Sequence, residues 1–394
     1  MRILIHSQYF PPEIGAPQSR LSELAIELEK MGFCVSVLTA FPNYPTGKIF
    51  PGYSGFFRNE KSGSNKIFRS FIFPSQSVGV IPRLFNYFSF TISSFLYGLF
   101  LPKFDIILTE SPPLFLGISG FLLSKIKRAK WIFNIADLWP ASVAELGLIN
   151  KNSTFFKVSE KLESALYHHA DVVTGQSKSI LININERFPE IKTYHFSNGV
   201  DPERFQPTLA TRQSKIKIMY AGLHGLAQGL DQIVEAAIAL QENNLYEFIF
   251  IGDGPEKQGL LNLVKQSGIK NVTFFDPIPS SQIPATISSA DILLVPLKIQ
   301  LTGAVPSKLY EGMAAGKPII LIAESEAAGI LQDADCGISV KPGDIDGLVS
   351  AILQLAGNDK ERNRLGSNGR KAAIEKYNRH KIAQEFASFL LTLN

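Results

Sequence analysis

Short apolar runs rich in β-branched residues alternate along the chain with segments whose apolar residues recur at helical spacing. In the first half the runs predict strands over 3–6, 35–38, 67–71, 105–108, 131–135, 171–174 and 193–196. The intervening pattern predicts helices over 17–31, 82–101, 113–128, 153–169 and 177–187. The rhythm breaks between 198 and 214, where Gly199, Pro202 and Pro207 precede a polar stretch, and this places a domain boundary there. It then restarts, with strands expected over 216–220, 248–251, 272–275, 292–295, 319–322 and 337–340. Helices lie between them, with the clearest patterns over 228–241, 307–315 and 344–355. A last helix is expected over 378–392, where Ile382, Phe386, Phe389 and Leu390 make an apolar stripe. Near-continuous apolar strands alternating with helices mean parallel sheets covered on both faces. The expected fold class is therefore α/β, with two tandem Rossmann-like, doubly wound domains over 1–197 and 198–376 facing across a cleft. Residues 377–394 are expected to pack back on the first domain. Ligands of such sheets bind beyond the carboxyl ends of the strands.

Composition narrows the class. With 45% hydrophobic and 19% charged residues the chain can bury a sizeable core, which excludes general disorder. Two cysteines, Cys34 and Cys336, give no disulfide framework and no Cys-rich metal site, and they fit a reducing, cytoplasmic compartment. The start of the chain does not read as a signal peptide, because its apolar run is short and Glu13 follows soon after.

Charge adds a direction. Residues 1–200 carry 20 Lys/Arg against 14 Asp/Glu, whereas residues 201–394 carry 19 against 21. The excess concentrates in 48–130, with 11 basic residues against 3 acidic. That asymmetry points to a polyanion or an anionic membrane surface, the alternative being a merely solvated basic face. No basic and aromatic motif of a nucleic-acid reader is present, so no nucleic-acid partner is expected. Within the basic region, 84–102 holds no charge and approaches the ~20 residues of a bilayer span. Asn86, Ser89, Thr91, Ser93 and Ser94 are frequent for a span, however. The expectation is a long core helix, with or without an aromatic face lying in a membrane interface.

Four stretches carry candidate chemistry. The first, 9–17, follows the first strand and opens a helix, with Gly15 allowing close backbone approach to an anion or a polar ligand. It is not a Gly-x-Gly-x-x-Gly fingerprint, which removes the main support for a dehydrogenase. The second, Asn134 to Pro140, follows a central strand, so Asp137 either accepts a proton from a substrate hydroxyl or caps the next helix. The third, 220–229, places Gly222, Gly225 and Gly229 before a helix, where amides and the helix dipole favour phosphate. Its His224 either donates to a phosphate or sugar hydroxyl or is structural. The fourth runs from Thr302 to Pro318. There Ser307 is expected to cap a helix, Lys308 to place a point charge on a diphosphate, and Glu311 to accept two ribose hydroxyls.

At the fourth stretch the sequence resembles a known family, the retaining, nucleotide-sugar-dependent glycosyltransferases of family 4, with the two-domain GT-B fold. The residues that carry the resemblance are Phe10-Pro11-Pro12 with Gly15, Asn198-Gly199-Val200-Asp201 with Phe205, Gly252-Asp253-Gly254-Pro255, the run 290–296, and Glu311 to Pro318. The family has two glutamates eight positions apart; the second maps to Glu311 and the first, which touches the donor sugar, maps to Gly303. The family's Arg and Lys of the third stretch are replaced by Leu223 or His224, and by Gln228. These departures resemble a subgroup of bacterial O-antigen and capsule transferases that includes N-acetyl-L-fucosaminyltransferases. The resemblance implies a UDP-sugar donor, held by Gly15, Gly222, Gly225, Gly303, Ala304, Ser307, Lys308 and Glu311, with His224, Lys308 and an auxiliary Asp137 near the chemistry. It further implies retention by front-face attack, no metal and no other cofactor, and a polyprenyl-diphosphate-linked acceptor met at the inner face of the plasma membrane. Asp333-Ala334-Asp335 has the spacing of a metal motif but lies late in the second half and reads as a helix-end turn. A UDP-sugar 2-epimerase of the same fold and a non-catalytic nucleotide-sugar-binding subunit are the alternatives.

Overall fold

A computed structural model describes residues 1–44, 46–63, 65–75, 80–208, 214–299 and 301–393. The polar stretch expected after Pro207 lies partly outside the described residues. The chain divides into two compact units, Met1–Asn198 together with the segment from Arg379 onward, and Gly199–Asn378. Both crossings fall slightly later than the expected 197/198 and 376/377. The reason is local: the Val200 amide donates to the Tyr377 carbonyl at 2.9 Å, which ties the two ends of the second unit side by side.

The first unit runs β1 (Arg2–His6), α1 (Ala16–Lys30), β2 (Cys34–Ala40), β3 (Phe57–Ser62), β4 (Asn65–Ser70), α2 (Val80–Phe100) and β5 (Ile106–Ser111). It continues with α3 (Leu116–Lys127), β6 (Lys130–Ile135), α4 (Ala141–Glu145), α5 (Thr154–His169), β7 (Val172–Gly175), α6 (Lys178–Arg187) and β8 (Thr193–His195). Its sheet has the order β3-β4-β2-β1-β5-β6-β7-β8, parallel except for the β3–β4 pair. Successive residues of β1 feed opposite faces: Ile3 and Ile5 pack with Leu21, Leu24 and Leu28 of α1, while Leu4 packs with Ile107, Trp131 and Phe133.

The second unit runs β9 (Ile216–Ala221), α7 (Asp231–Ala239), β10 (Tyr246–Ile251), α8 (Lys257–Ser267), β11 (Val272–Phe275), α9 (Ile283–Ser288) and β12 (Ile292–Pro296). Next come α10 (Ser307–Ala314), β13 (Ile319–Ile322), α11 (Glu326–Asp333), β14 (Gly337–Val340), α12 (Ile345–Ala356) and α13 (Asp359–Glu375). The all-parallel order β11-β10-β9-β12-β13-β14 is that of a doubly wound nucleotide-binding sheet. Residues from Arg379 onward form α14 (Arg379–Leu391), which returns to the first unit. There Phe386 stacks on Phe196 at 4.2 Å between ring centres.

Each sheet reverses its winding once, between β1 and β5 in the first unit and between β9 and β12 in the second. Loops leaving the strands there diverge and open a crevice. The expected elements are displaced where turn chemistry intervenes. The helix expected from 228 starts at Asp231, because Gly229 takes a left-handed φ of 59°. The helix expected from 113 starts at Leu116, after tight turns in which the amides of Leu116 and Gly117 bond the carbonyls of Pro113 and Leu114. Strand β3 was not expected: after an exposed Phe57 it runs through polar residues, with Arg58, Asn59 and Lys61 exposed, as suits a charged sheet edge. Among the described residues no helix is long and apolar enough to cross a membrane.

Candidate active site

In the second unit the third and fourth stretches close on the switch point. Leu309, Tyr310, Met313 and Ala314 of α10 are buried in the core, which fixes the helix and leaves Lys308 and Glu311 half-buried on another face, one turn apart. No side chain caps the start of α10, and the Leu309 amide donates to the Pro306 carbonyl at 3.0 Å, so the amides of Ser307 and Lys308 are the ones that face an anion. The Lys308 side chain reaches the loop after β9. A Cβ placed on Gly222 would lie 2.0 Å from Lys308 Cε and 2.6 Å from its Nζ, so a side chain there would displace the lysine. Among the described residues neither the Lys308 ammonium nor the Glu311 carboxylate has an ion-pair partner. Gly225 lines a cavity of about 320 Å³ with Leu226, Leu230, Glu256, Leu260 and Lys298.

Three expected roles change. Pro306, not Ser307, is the residue before α10; Ser307 is the first helical residue and bonds no amide as a cap. The Ala304 amide donates to the Leu301 carbonyl at 3.0 Å, so it is not free for a ligand. His224 is fully buried among Tyr220, Phe250 and Phe274, and both ring nitrogens lack a partner. Burial, aided by Lys257, pushes its pKa down to about 4. His224 is thus a neutral imidazole and not a cation at pH 7, and it is packed inside the loop rather than presented to a ligand. Its main chain holds the loop: the amide donates to the Asp253 carbonyl at 2.8 Å and the carbonyl accepts from the Glu256 amide at 3.0 Å.

In the first unit Gly15 precedes α1 with an extended backbone, and its carbonyl accepts from the Ser19 amide. Glu13 shapes that loop, taking the amides of Asn43 and Tyr44 at 2.7 and 2.8 Å. Asp137 does not cap α4, which is preceded by Pro140 without a side-chain cap. Burial pushes its carboxyl up to about 6, with Glu110 and Glu145 adding to the shift and Arg20 opposing it.

The structure also shows a polar row that sequence reasoning missed. Arg20 of α1 pairs with Glu110; Asn134 donates to Glu110 at 2.6 Å; Thr174 donates to Asn134 at 2.6 Å. Glu110, Asn134 and Thr174 are register partners across β5, β6 and β7. Around the reversal between β1 and β5, buried polar atoms lack partners: His6 Nδ1, Gln8 Oε1, Gln18 Oε1, Arg20 Nη1 and Ser111 Oγ. Such atoms cost free energy unless a ligand or water completes them. Their signal in the sequence was a polar residue interrupting an apolar strand, as at 109–111 and at Asn134.

The comparisons with known proteins bear on this geometry. Residues 201–372 match the family model described as glycosyl transferases group 1. That match lies within the second unit. WcaI of Escherichia coli K12, provisionally named a colanic acid biosynthesis glycosyl transferase, is 28% identical over 90% of this chain and 92% of its own. WbjE of Pseudomonas aeruginosa, provisionally named a glycosyltransferase, is 26% identical over 72% of this chain and 74% of its own. In fold, the sucrose-phosphate synthase of Thermosynechococcus elongatus aligns with a TM-score of 0.80 at 18% identity, covering 100% of this chain and 98% of that one. HepE of Anabaena aligns with a TM-score of 0.71 at 14% identity, covering 100% of both. The fold is GT-B: the strand pattern predicted two parallel-sheet α/β domains in tandem, and the resemblance implied GT-B. Gly303, where the family's first glutamate would stand, has a φ of 80°. A glutamate there would be strained, so this loop is built for glycine.

Proposed function

We propose that this glycosyltransferase moves a sugar from a UDP-sugar to a polyprenyl-diphosphate-linked glycan during synthesis of a bacterial surface polysaccharide. The observation that carries the donor half is the meeting of Lys308 with Gly222 at the uncapped start of α10. An ammonium and open helix amides at a switch point suit a diphosphate. They offset the charge that develops as it leaves, which makes a bound metal unnecessary in this reading. Glu311, one turn along the same helix, accepts the ribose hydroxyls. HepE, similar in fold, is described in complex with UDP and with UDP-glucose. In the first unit, the unpartnered atoms of Gln8, Gln18 and Arg20 take acceptor hydroxyls.

Transfer then proceeds with retention. The acceptor oxygen attacks the face from which the diphosphate departs, and the leaving phosphate takes the acceptor's proton. Asp137 orients the acceptor as an auxiliary. Gly303 in place of a glutamate fits a donor sugar that needs no contact there, such as an N-acetylated 6-deoxy amino sugar. The relative WcaI, named for colanic acid biosynthesis, supports a role in polysaccharide synthesis, and WbjE, named a glycosyltransferase, supports sugar transfer. The enzyme works at the inner face of the plasma membrane, where such acceptors are embedded.

The test is calorimetric titration with UDP. Lys308→Ala and Gly222→Ala should each weaken binding, and the double variant should be no weaker than the worse single one, because both remove the same contact. Undiminished UDP binding in folded Lys308→Ala would overturn the donor site.

A further inference from the structure

Helix α2 turns apolar residues both inward, where Phe90 is buried and Leu84, Tyr87 and Phe95 pack against the core, and outward. Its polar side chains face the first unit's interior: Asn86 accepts from Gln8 at 2.9 Å and donates to the Phe73 carbonyl at 2.7 Å. Ser93 donates to Ser70 at 3.1 Å, and Ser94 bonds His6 at 3.0 Å and Ser119 at 3.3 Å. Asn86, Thr91, Ser93 and Ser94 are all buried. The outward stripe is apolar: Ile81, Phe85, Phe88, Ile92, Leu96 and Phe100 recur at steps of three and four and are exposed, Phe100 by 82% and Ile81 by 69%. An ordinary surface helix of a globular protein turns polar residues outward, whereas α2 also buries polar ones. A contiguous apolar face of this kind marks a surface that something covers.

The surroundings say what covers it. Helix α3 lies alongside and adds Leu122 and Ile126, both exposed and one turn apart. The C-terminal ends of the two helices are joined by Lys127, whose ammonium donates to the Leu99 and Leu101 carbonyls at 2.7 and 2.5 Å. Lys103, Lys125 and Arg128 stand exposed at that end, and Arg83 near the other. The two carboxylates between 80 and 130 are already engaged, Asp105 by the Arg2 amide at 2.6 Å and Glu110 by Arg20. The apolar face therefore has a rim of basic charge, and among the described residues no carboxylate forms an ion pair with Lys103, Lys125 or Arg128.

We propose that the outward face of α2, with Leu122 and Ile126, seats in the headgroup–acyl boundary of an anionic membrane, the rim lysines and Arg128 meeting lipid phosphates. A second copy of this chain would bring two basic rims together and is disfavoured by that charge. The inference rests on the reading that the acceptor is lipid-borne, and it places the protein where that acceptor is.

The test is co-sedimentation of the full chain with phosphatidylglycerol-containing vesicles and with pure phosphatidylcholine vesicles over a salt series. The wild type should bind the anionic vesicles and release as salt rises. The combined variant Phe85→Gln, Ile92→Gln, Phe100→Gln should bind at least about tenfold more weakly, and so should Lys125→Glu with Arg128→Glu. The far-ultraviolet circular dichroism and thermal melting of the same variants should match the wild type, which shows the first unit folded, and UDP titration should be unchanged. Absent vesicle binding, or variants that bind as the wild type does, would overturn the proposal. So would a wild-type dimer in solution that the glutamine variant converts to monomer, since that assigns the face to a second copy. Vesicle binding without any sugar transfer would leave the docking intact and defeat the glycosyltransfer reading instead.

Discussion

Lys308 and Glu311 share one turn of α10, and in the proposed donor site they act at different moments of the reaction. The diphosphate gains charge in the transition state, so Lys308→Ala should lower kcat more than it weakens donor binding. Steady-state kinetics separates the two, and a change in KM alone would mean uniform binding. Glu311→Ala should cost about 1.5–3 kcal/mol, or roughly ten- to a hundredfold in donor affinity, read by calorimetry. Asp137 gives the pH signature. Its pKa of about 6 lies above the ordinary 3.8, so folding favours its protonated form. Stability held by that form declines as pH rises from near 4 to 6 and is level above. Asp137→Asn should therefore raise the melting temperature at pH 7.5 by a few degrees while lowering activity with acceptor. A melting temperature unchanged or lowered at that pH would contradict the burial cost assigned to the carboxylate.

At the scale of elements, the strands of both sheets were legible because buried parallel strands are near-continuous apolar runs, 292–295 and 319–322 being the plainest. Helix α10 was legible to within a residue, and with it Lys308 and Glu311. The edge strand β3 was not, since Arg58, Glu60 and Lys61 carry no apolar alternation. Helix α13 was not, because it buries Gly366, Gly369, Ala372 and Ala373 and has few bulky apolar residues. The polar interruptions at Glu110 and Asn134 marked members of the Arg20–Glu110–Asn134 row, but not their pairing: cross-strand register and the turn of α1 bring them together, and no spacing in the sequence records either. That row makes its own prediction. Arg20→Ala leaves the Glu110 carboxylate buried beside only neutral donors, and it should cost the first unit about 3–5 kcal/mol. Chemical denaturation measures this, and a loss below about 1 kcal/mol would mean that solvent reaches the carboxylate.

At the scale of the whole molecule, the chain leaves the first unit at Asn198 and returns to it at Arg379, so α14 belongs with strands met nearly 200 residues earlier. Phe386→Ala empties the stack on Phe196 and should cost about 3–5 kcal/mol, seen as an earlier melting of the first unit. Acid should weaken both units. His6 and His224 are held neutral, their pKa values pushed by burial from 6.5 to about 3 and about 4. The unfolded chain takes up those protons first, so stability falls as pH drops below about 6.5. The central claim remains chemical, that the open start of α10 holds the diphosphate of a sugar donor for transfer to a lipid-linked glycan. Mass spectrometry of membrane lipid extract incubated with the enzyme and a panel of UDP-sugars tests it most directly. The account predicts one lipid-linked glycan heavier by one sugar residue, with stoichiometric UDP release and loss of both in Lys308→Ala. UDP-sugar converted without any acceptor, or bound without turnover across the panel, would contradict it.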